Sequence, residues 1–174
     1  MTEIRPIHRL RARLGLLAVT ALASLYLFGT YAAPWLIARD HEAGKWLHIC
    51  YAPVCHQKPE RSMMIDGHAQ SVCARCSGLY IGGVFGLLCA TFLVVGRRSL
   101  PAWSFVALCA PTFIDAVLPW VGLPQLDRIG RLLLAVPAGA IAGIFMAIGL
   151  WEVFVAAQRP GGVRDALDSN SLNI

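Results

Sequence analysis

The sequence predicts an all-α membrane protein, with four transmembrane helices and an ordered extracytoplasmic Cys/His loop between helices 1 and 2. Three observations carry that expectation. Of the 174 residues, 57% are hydrophobic and 14% are charged, whereas a soluble domain carries about 25% charged residues. Four long stretches, Leu14–Ile37, Ser77–Gly96, Ser99–Leu126 and Leu132–Trp151, contain one charged residue among them, Asp115. Four of the six cysteines fall between the first two stretches, from Cys50 to Cys76.

Residues 1–13 form a basic arm that carries Arg5, Arg9, Arg11 and Arg13. The first apolar stretch follows at once. Ala21-Leu22-Ala23 resembles a leader cleavage pattern, but the apolar run continues to Ile37, too far for a cleaved leader. It reads as a retained span, since about 20 apolar residues cross a bilayer. None of the four stretches shows the polar face that a helix on a soluble core would need. The second span carries Gly78, Gly82 and Gly86 at four-residue spacing, and the fourth carries Gly139 and Gly143. Glycine at this spacing lets backbones approach, which is the main packing device where lipid supplies no hydrophobic drive. Packing within one chain is the plain reading, and a homodimer through these faces is the alternative. The third span holds Pro111, Asp115 and Pro119 on one face, so a kink or an early end is expected there. Cys89 and Cys109 inside the spans read as small apolar core residues.

An even number of spans places both termini on one side. The arm, Arg97, Arg98, Arg159 and Arg164 fall on the terminal side. Arg39, Lys45, Lys58, Arg61, Arg75, Arg128 and Arg131 fall on the other. The totals are nearly balanced, and the first helix usually decides orientation. Its four preceding arginines place the termini in the cytoplasm of a multi-pass inner-membrane protein. Trp35, Trp46, Trp103, Trp120 and Trp151 lie near span ends, where interfacial aromatics belong. The expected organisation is therefore a cytoplasmic arm 1–13, a membrane domain 14–157 with the Cys/His loop 38–76, and a flexible cytoplasmic tail 158–174. The basic residues make no aromatic-interleaved patch, so the net charge of +5 does not point to nucleic acid. The lipid bilayer is the expected partner.

The chemistry concentrates in the loop. Cys73 and Cys76 form a C-x-x-C that opens the second span. Residues three apart share a helix face, and the positive end of a helix favours thiolate. Cys55 and His56 arrive from a proline-bounded segment, with Cys50 before them and His68 after. Three readings stay open on spacing alone. The first is a metal site, most naturally zinc, built from Cys55, Cys73 and Cys76 with His56, Cys50 or His68 as fourth ligand. The second is a membrane thiol-disulfide oxidoreductase, with Cys55 as exchange partner of the Cys73/Cys76 pair. The third is a pair of structural disulfides, as an oxidising compartment favours.

The residues Cys55-His56-Gln57, Pro59-Glu60-Arg61-Ser62 and Cys73-Ala74-Arg75-Cys76-Ser77-Gly78-Leu79-Tyr80 resemble a known signature, C-H-Q-x-P-E-R-S followed by C-x-R-C-x-G-x-Y. It belongs to small prokaryotic membrane proteins grouped as domain of unknown function two thousand and eighty-five. The resemblance runs from about Cys55 to Gly143. It implies a membrane location and no established activity. It also places Asp115 and Arg131 at the family's third-span Asp and following Arg. Ala116 and Leu134-Ala135 stand where the family often has Gly and Thr-Gly. Cys50 lies outside the pattern, which favours His56 over Cys50 as a ligand and leaves Cys50 as the alternative.

Glu60, Arg61, Arg75, Asp115 and Arg131 are the charges expected to converge at the outer end of the bundle, and they are the candidate catalytic residues. A carboxylate at membrane depth needs a partner, and Arg131 is the first expectation, ahead of Arg75 and Arg61. A structural ion pair is the plain role. The functional alternatives are a small transporter lined by Asp115 and Arg131, or a metal-dependent lipid hydrolase. In the hydrolase, Glu60 would act on metal-bound water while Arg61 and Arg75 hold a head group.

Overall fold

Each apolar stretch becomes a helix, because a backbone in lipid must satisfy its own hydrogen bonds. The structure is a computed structural model describing residues 6–94, 101–124 and 126–157. Arg5, Arg97, Arg98, Arg159, Arg164 and the expected tail 158–174 lie outside the described residues. Helix α1 spans Pro6–Ile37, α2 Glu42–Cys50, α3 Ala74–Cys89, α4 Ala102–Val117 and α5 Arg128–Ala156. Four of these, α1, α3, α4 and α5, are long and apolar enough to cross a membrane. Helix α1 starts within the basic arm, so Arg9, Arg11 and Arg13 lie exposed on its first turns. Thr20, Ser24 and Thr30 return their hydroxyls to the carbonyls of Leu16, Thr20 and Leu27, which hides those polar groups inside the helix.

Helices α3 and α5 form the centre. A Cβ at Gly78, Gly82 or Gly86 would lie 2.2, 2.0 or 2.1 Å from the carbonyl oxygen of Leu132, Val136 or Ala140. From the other side, a Cβ at Gly139 or Gly143 would lie 2.1 or 2.3 Å from the carbonyl oxygen of Leu79 or Gly83. Gly78, Gly82, Gly86, Gly139 and Gly143 thus meet the facing helix within one chain. Helix α3 passes through a π-helical turn at Ala90–Val94. Helix α4 is peripheral. Only 11% of its apolar window is buried within the chain, against 39% for α3. It continues through Pro111 and gives way at Leu118–Val121 to a 3-10 turn that contains Pro119, so the early end is found there. Thr112 Oγ1 donates to Leu134 O at 2.9 Å and pins α4 to α5.

The segment from Ile37 to Ala74 is an ordered cap with structure of its own. Helix α2 crosses the end of α1 at Gly44, where a Cβ would lie 2.7 Å from the Ile37 amide nitrogen. A short hairpin follows, β1 (Ser62–Ile65) against β2 (His68–Cys73), antiparallel, with a register irregularity between Ser62 and Met64. Its turn is Asp66-Gly67, with φ of 49° and 80°. Two successive positive φ values make the tight turn that suits the twist of a hairpin. Strand β2 ends at Cys73, which is also the N-cap of α3. Trp35, Trp46, Trp103 and Trp120 are exposed and Trp151 is half-buried. The Arg39 guanidinium stacks 3.8 Å from the Trp35 ring centre.

Candidate metal centre

Two elements bring the sulfurs together. The junction of β2 and α3 fixes Cys73, and one helical turn later Cys76 faces the same way. Cys55 comes from the turn after α2, where its backbone amide is bonded to Tyr51 O. The Tyr51 hydroxyl in turn donates to Tyr26 O at 2.7 Å, and Gly29 of α1 leaves it the room to do so. Cys55, Val72 and Tyr51 form one buried cluster against Cys73, Cys76 and Tyr80.

The Sγ atoms of Cys55, Cys73 and Cys76 all lie within 4.8 Å of one another. Three thiolates on a tetrahedral zinc, at about 2.3 Å each, stand about 3.8 Å apart. The triad fits a metal with only small adjustment. The Cys73 amide donates to Cys55 Sγ at 3.2 Å, the kind of outer contact that steadies a sulfur ligand. Cys55 is 7% exposed, and the other two are half-buried. All six cysteines are unbridged. The Cys73 thiol is pulled down to about 5, chiefly by the Cys76 thiol, against the cost of burial. The amides of Cys76 and Arg75 and the Cys55 thiol act in the same downward sense.

The sulfurs open onto a cavity of about 280 Å³, lined by Val54, Cys55, His56, Gln57, Lys58, Arg61, Cys73, Arg75 and Cys76. His56 is exposed on its wall but does not join the three-sulfur cluster. Cys50 is exposed at the end of α2 and also lies outside that cluster, as does the exposed His68. Gln57 holds a left-handed backbone, φ 51°, which costs a non-glycine residue about 1–2 kcal/mol. Two bonds from its Nε2 offset that cost, to His48 O at 2.6 Å and Ser71 O at 3.0 Å. They set the direction in which Cys55 and His56 leave the cap.

Apart from Asp115, the expected charges line two cavities. Arg61 and Arg75 line the sulfur cavity. Glu60 and Arg131 line a second one of about 490 Å³, together with Met63, Met64, Leu126, Asp127, Arg128 and Ile129. Glu60 is not among the residues that line the sulfur cavity. Asp115 is buried, at 3% exposure. Its Oδ2 accepts a hydrogen-bonded ion pair from the Arg75 guanidinium, and its Oδ1 accepts from the Leu126 amide at 3.1 Å. Arg75, placed after Arg131 on sequence grounds, makes this direct contact because it reaches across from the first turn of α3. The pair joins α3, α4 and the α4–α5 connection.

A buried polar network under the hairpin was not anticipated. Gln70 Nε2 donates to Ser77 Oγ at 2.7 Å and to Thr30 Oγ1 at 3.1 Å, tying β2 to α3 and α1. His48 Nδ1 lies 3.0 Å from Ser71 Oγ, and burial lowers the His48 pKa, favouring the neutral ring. The available signal was Asp66-Gly67 between two short apolar runs. It marks a hairpin and so turns Gln70 inward by alternation.

A family profile described as a predicted membrane protein (DUF2085) matches residues 55–148. The match opens at Cys55, so it includes the triad and leaves out Cys50. An uncharacterized protein of Methanocaldococcus jannaschii is 26% identical over 138 residues, covering 75% of this chain and 86% of the relative. An uncharacterized protein of Methanothermobacter thermautotrophicus is 34% identical over 86 residues, covering 49% of this chain and 78% of the relative. No solved structure matches the chain.

Proposed function

The chain belongs to the family of predicted membrane proteins designated DUF2085, and from that membership we propose a role as a multi-pass inner-membrane protein whose outward cap binds one zinc ion. Cys55, Cys73 and Cys76 are the ligands, and His56, on the wall of the adjoining cavity, is the residue that completes the set. The observation that carries this reading is the approach of three sulfurs from two separate segments to within 4.8 Å of one another. Ion binding would lock the Cys55 turn onto the head of α3, which is a binding and organising role. The termini, including the arm 1–13 and the tail 158–174, face the cytoplasm, supported by the arginines that precede the first span.

The test is metal content and thiol accessibility on the purified chain in detergent. One zinc per chain, with the three thiols released to a thiol reagent only by chelator, is the expected result. No bound metal after purification without chelator, or thiols that appear only after reductant, would sink the reading. An impermeant maleimide applied to intact cells after chelation should reach the cap. If it labels only broken cells, the orientation is reversed.

A second reading has one observation in its favour, the depressed Cys73 thiol with Cys76 and Cys55 beside it. As a thiol-disulfide oxidoreductase, Cys73 would attack an external disulfide and Cys76 would resolve the mixed disulfide. Two thiols become one disulfide while the external disulfide becomes two thiols. A Cys73–Cys76 couple that equilibrates with a dithiol buffer in the zinc-free protein would favour it.

A further inference from the structure

We propose that the cavity beside the three sulfurs binds a phosphate-bearing anion, with Lys58, Arg61 and Arg75 as its cationic wall. The proposal deepens the metal-centre reading and rests on it for the fixed position of the Cys55–Arg61 segment. The first support is charge. The lining holds Lys58, Arg61 and Arg75 and includes no carboxylate. Glu60, the acid adjacent to Arg61 in the chain, lines the second cavity instead. Neither Lys58 nor Arg61 forms an ion pair with a carboxylate among the described residues, where the pairs are Arg39–Asp66, Lys45–Glu42 and Arg75–Asp115. A zinc tris-thiolate carries one net negative charge, and two unpaired cations stand beside it. The cavity therefore remains positive once the metal is in place.

The second support is preorganisation. Asp115 holds Arg75 through one guanidinium nitrogen, and Arg75 lines the cavity. An arginine fixed in this way keeps further donors for an anion, and a second arginine and a lysine beside it suit a doubly charged group. A lone carboxylate would leave part of that charge unmet. The third support is size and place. About 280 Å³ lies at the lower limit of ligand pockets, which run from about 300 to 1,000 Å³, so it suits a head group more than a large molecule. It sits at Cys73–Cys76, where α3 enters its apolar span. A lipid phosphate and a free phosphate ester are both within reach of that level.

The experiment uses the zinc-loaded full chain. Inorganic phosphate is titrated by calorimetry at low salt. In parallel, nanodiscs of phosphatidylcholine with or without phosphatidic acid are examined for lipid retained by the protein in native mass spectrometry. The variant Lys58→Gln/Arg61→Gln changes exposed side chains only and should fold and keep its zinc. Its affinity should fall roughly tenfold or more, as for loss of charge-assisted contacts. Arg75→Lys keeps the charge for Asp115 and removes the further donors, so it should weaken phosphate while zinc content holds. Phosphatidic acid retained without phosphate binding supports a lipid source, and phosphate binding without lipid enrichment supports a free one. Zinc present with neither ligand bound overturns this inference and leaves the metal centre standing. Binding unchanged in the double variant overturns it as well. Absence of zinc overturns the metal reading, and phosphate binding in that zinc-free protein would show that the anion site stands alone.

Discussion

Helix α3 meets the rest of the molecule in two ways. Along its length it presents Gly78, Gly82 and Gly86 to the carbonyls of α5, and main-chain atoms make the nearest contact at each. At its head, Cys73, Arg75, Cys76 and Ser77 face sulfur, carboxylate and amide partners from three other parts of the chain: Cys55, Asp115 and Gln70. The difference follows from the solvent. In the apolar layer two helices gain nothing by hiding apolar surface from lipid, so close backbone approach does the joining. At the head, polar groups must be paired once buried, so each contact there is specific in chemistry and in position. The seam determines whether the bundle exists, and the head determines what it can bind.

The largest expected effect breaks the seam. Gly82→Leu drives a branched side chain into main-chain atoms of Val136 and Ala140, which lie 2.0 and 2.8 Å from a Cβ at that site. Backbone cannot rotate away as a side chain can, so α3 and α5 must separate. No folded monomer should survive in size-exclusion chromatography. Gly83→Ala is the control. A Cβ there meets only Gly139 O at 3.8 Å, an ordinary contact, so this variant should behave as the native chain. If both adjacent substitutions are tolerated, the seam is not a main-chain contact.

Next in size is the pin between head and seam. Asp115→Asn leaves Arg75 charged, half-buried and without its counter-ion, while the amide still accepts from Leu126. Removing one member of a buried pair costs about 3–5 kcal/mol. The partial exposure of Arg75, at 21%, moves the expectation to about 3 kcal/mol or less. Denaturant titration in detergent measures it, and proteolysis should report a loosened α4. A loss no larger than that of an exposed variant such as Asp66→Asn would show that the pair does not pin α4.

The head itself is tested by removing metal. At free zinc between about 100 and 1,000 times the dissociation constant, binding adds about 2.7–4.1 kcal/mol to stability. Chelator should therefore lower the melting temperature of the native chain. It should do nothing to Cys55→Ser, which already melts at the lower value. Equal chelator effects on both proteins would mean that the ion lies elsewhere.

Without metal, the head should show its own pH dependence. Cys73 is held at about 5 in the folded chain, against about 8.5 for an unstructured thiol. A depressed group contributes stability fully above its unfolded value and loses it as pH falls to the folded value. The midpoint of zinc-free protein should thus decline between about pH 8.5 and 5 and level off below. Cys73→Ser should flatten that slope. An equal slope in the variant assigns the titration to another group.

The four spans and the glycine seam were legible because their signals are local: uninterrupted apolar length, and glycine every fourth residue. The triad was legible for a similar reason, since C-x-x-C at a helix start fixes two sulfurs and only Cys55 had to be brought in. The cap was harder. Helix α2 and the hairpin are short, and what holds them is distant in sequence: Tyr51 on Tyr26, Gln70 on Thr30, Gln57 on Ser71. Spacing could not show that Glu60 and Arg61 part company either. They are neighbours in a single 3-10 turn, Pro59–Arg61, and line different cavities. Ranking Arg131 above Arg75 for Asp115 rested on order along the chain, whereas the long Arg75 side chain reaches from the first turn of α3 to make the direct contact.

The smallest expected effect tests the seam's far limit. Gly149 also lies in α5, yet a Cβ there would meet nothing within 4 Å. Its exposed place gives no packing reason for glycine, so only chain entropy and helix propensity remain. Gly149→Ala should then stabilise the helix slightly, by about 0.4–1 kcal/mol, the opposite sign to Gly82→Ala at the seam. A measurable loss at Gly149 would mean that this face of α5 is covered by something, and a second copy of the chain would be the first candidate. Cross-linking of Gly149→Cys in native membranes would separate that outcome from simple strain, because a covered face forms a dimer band and a strained one does not.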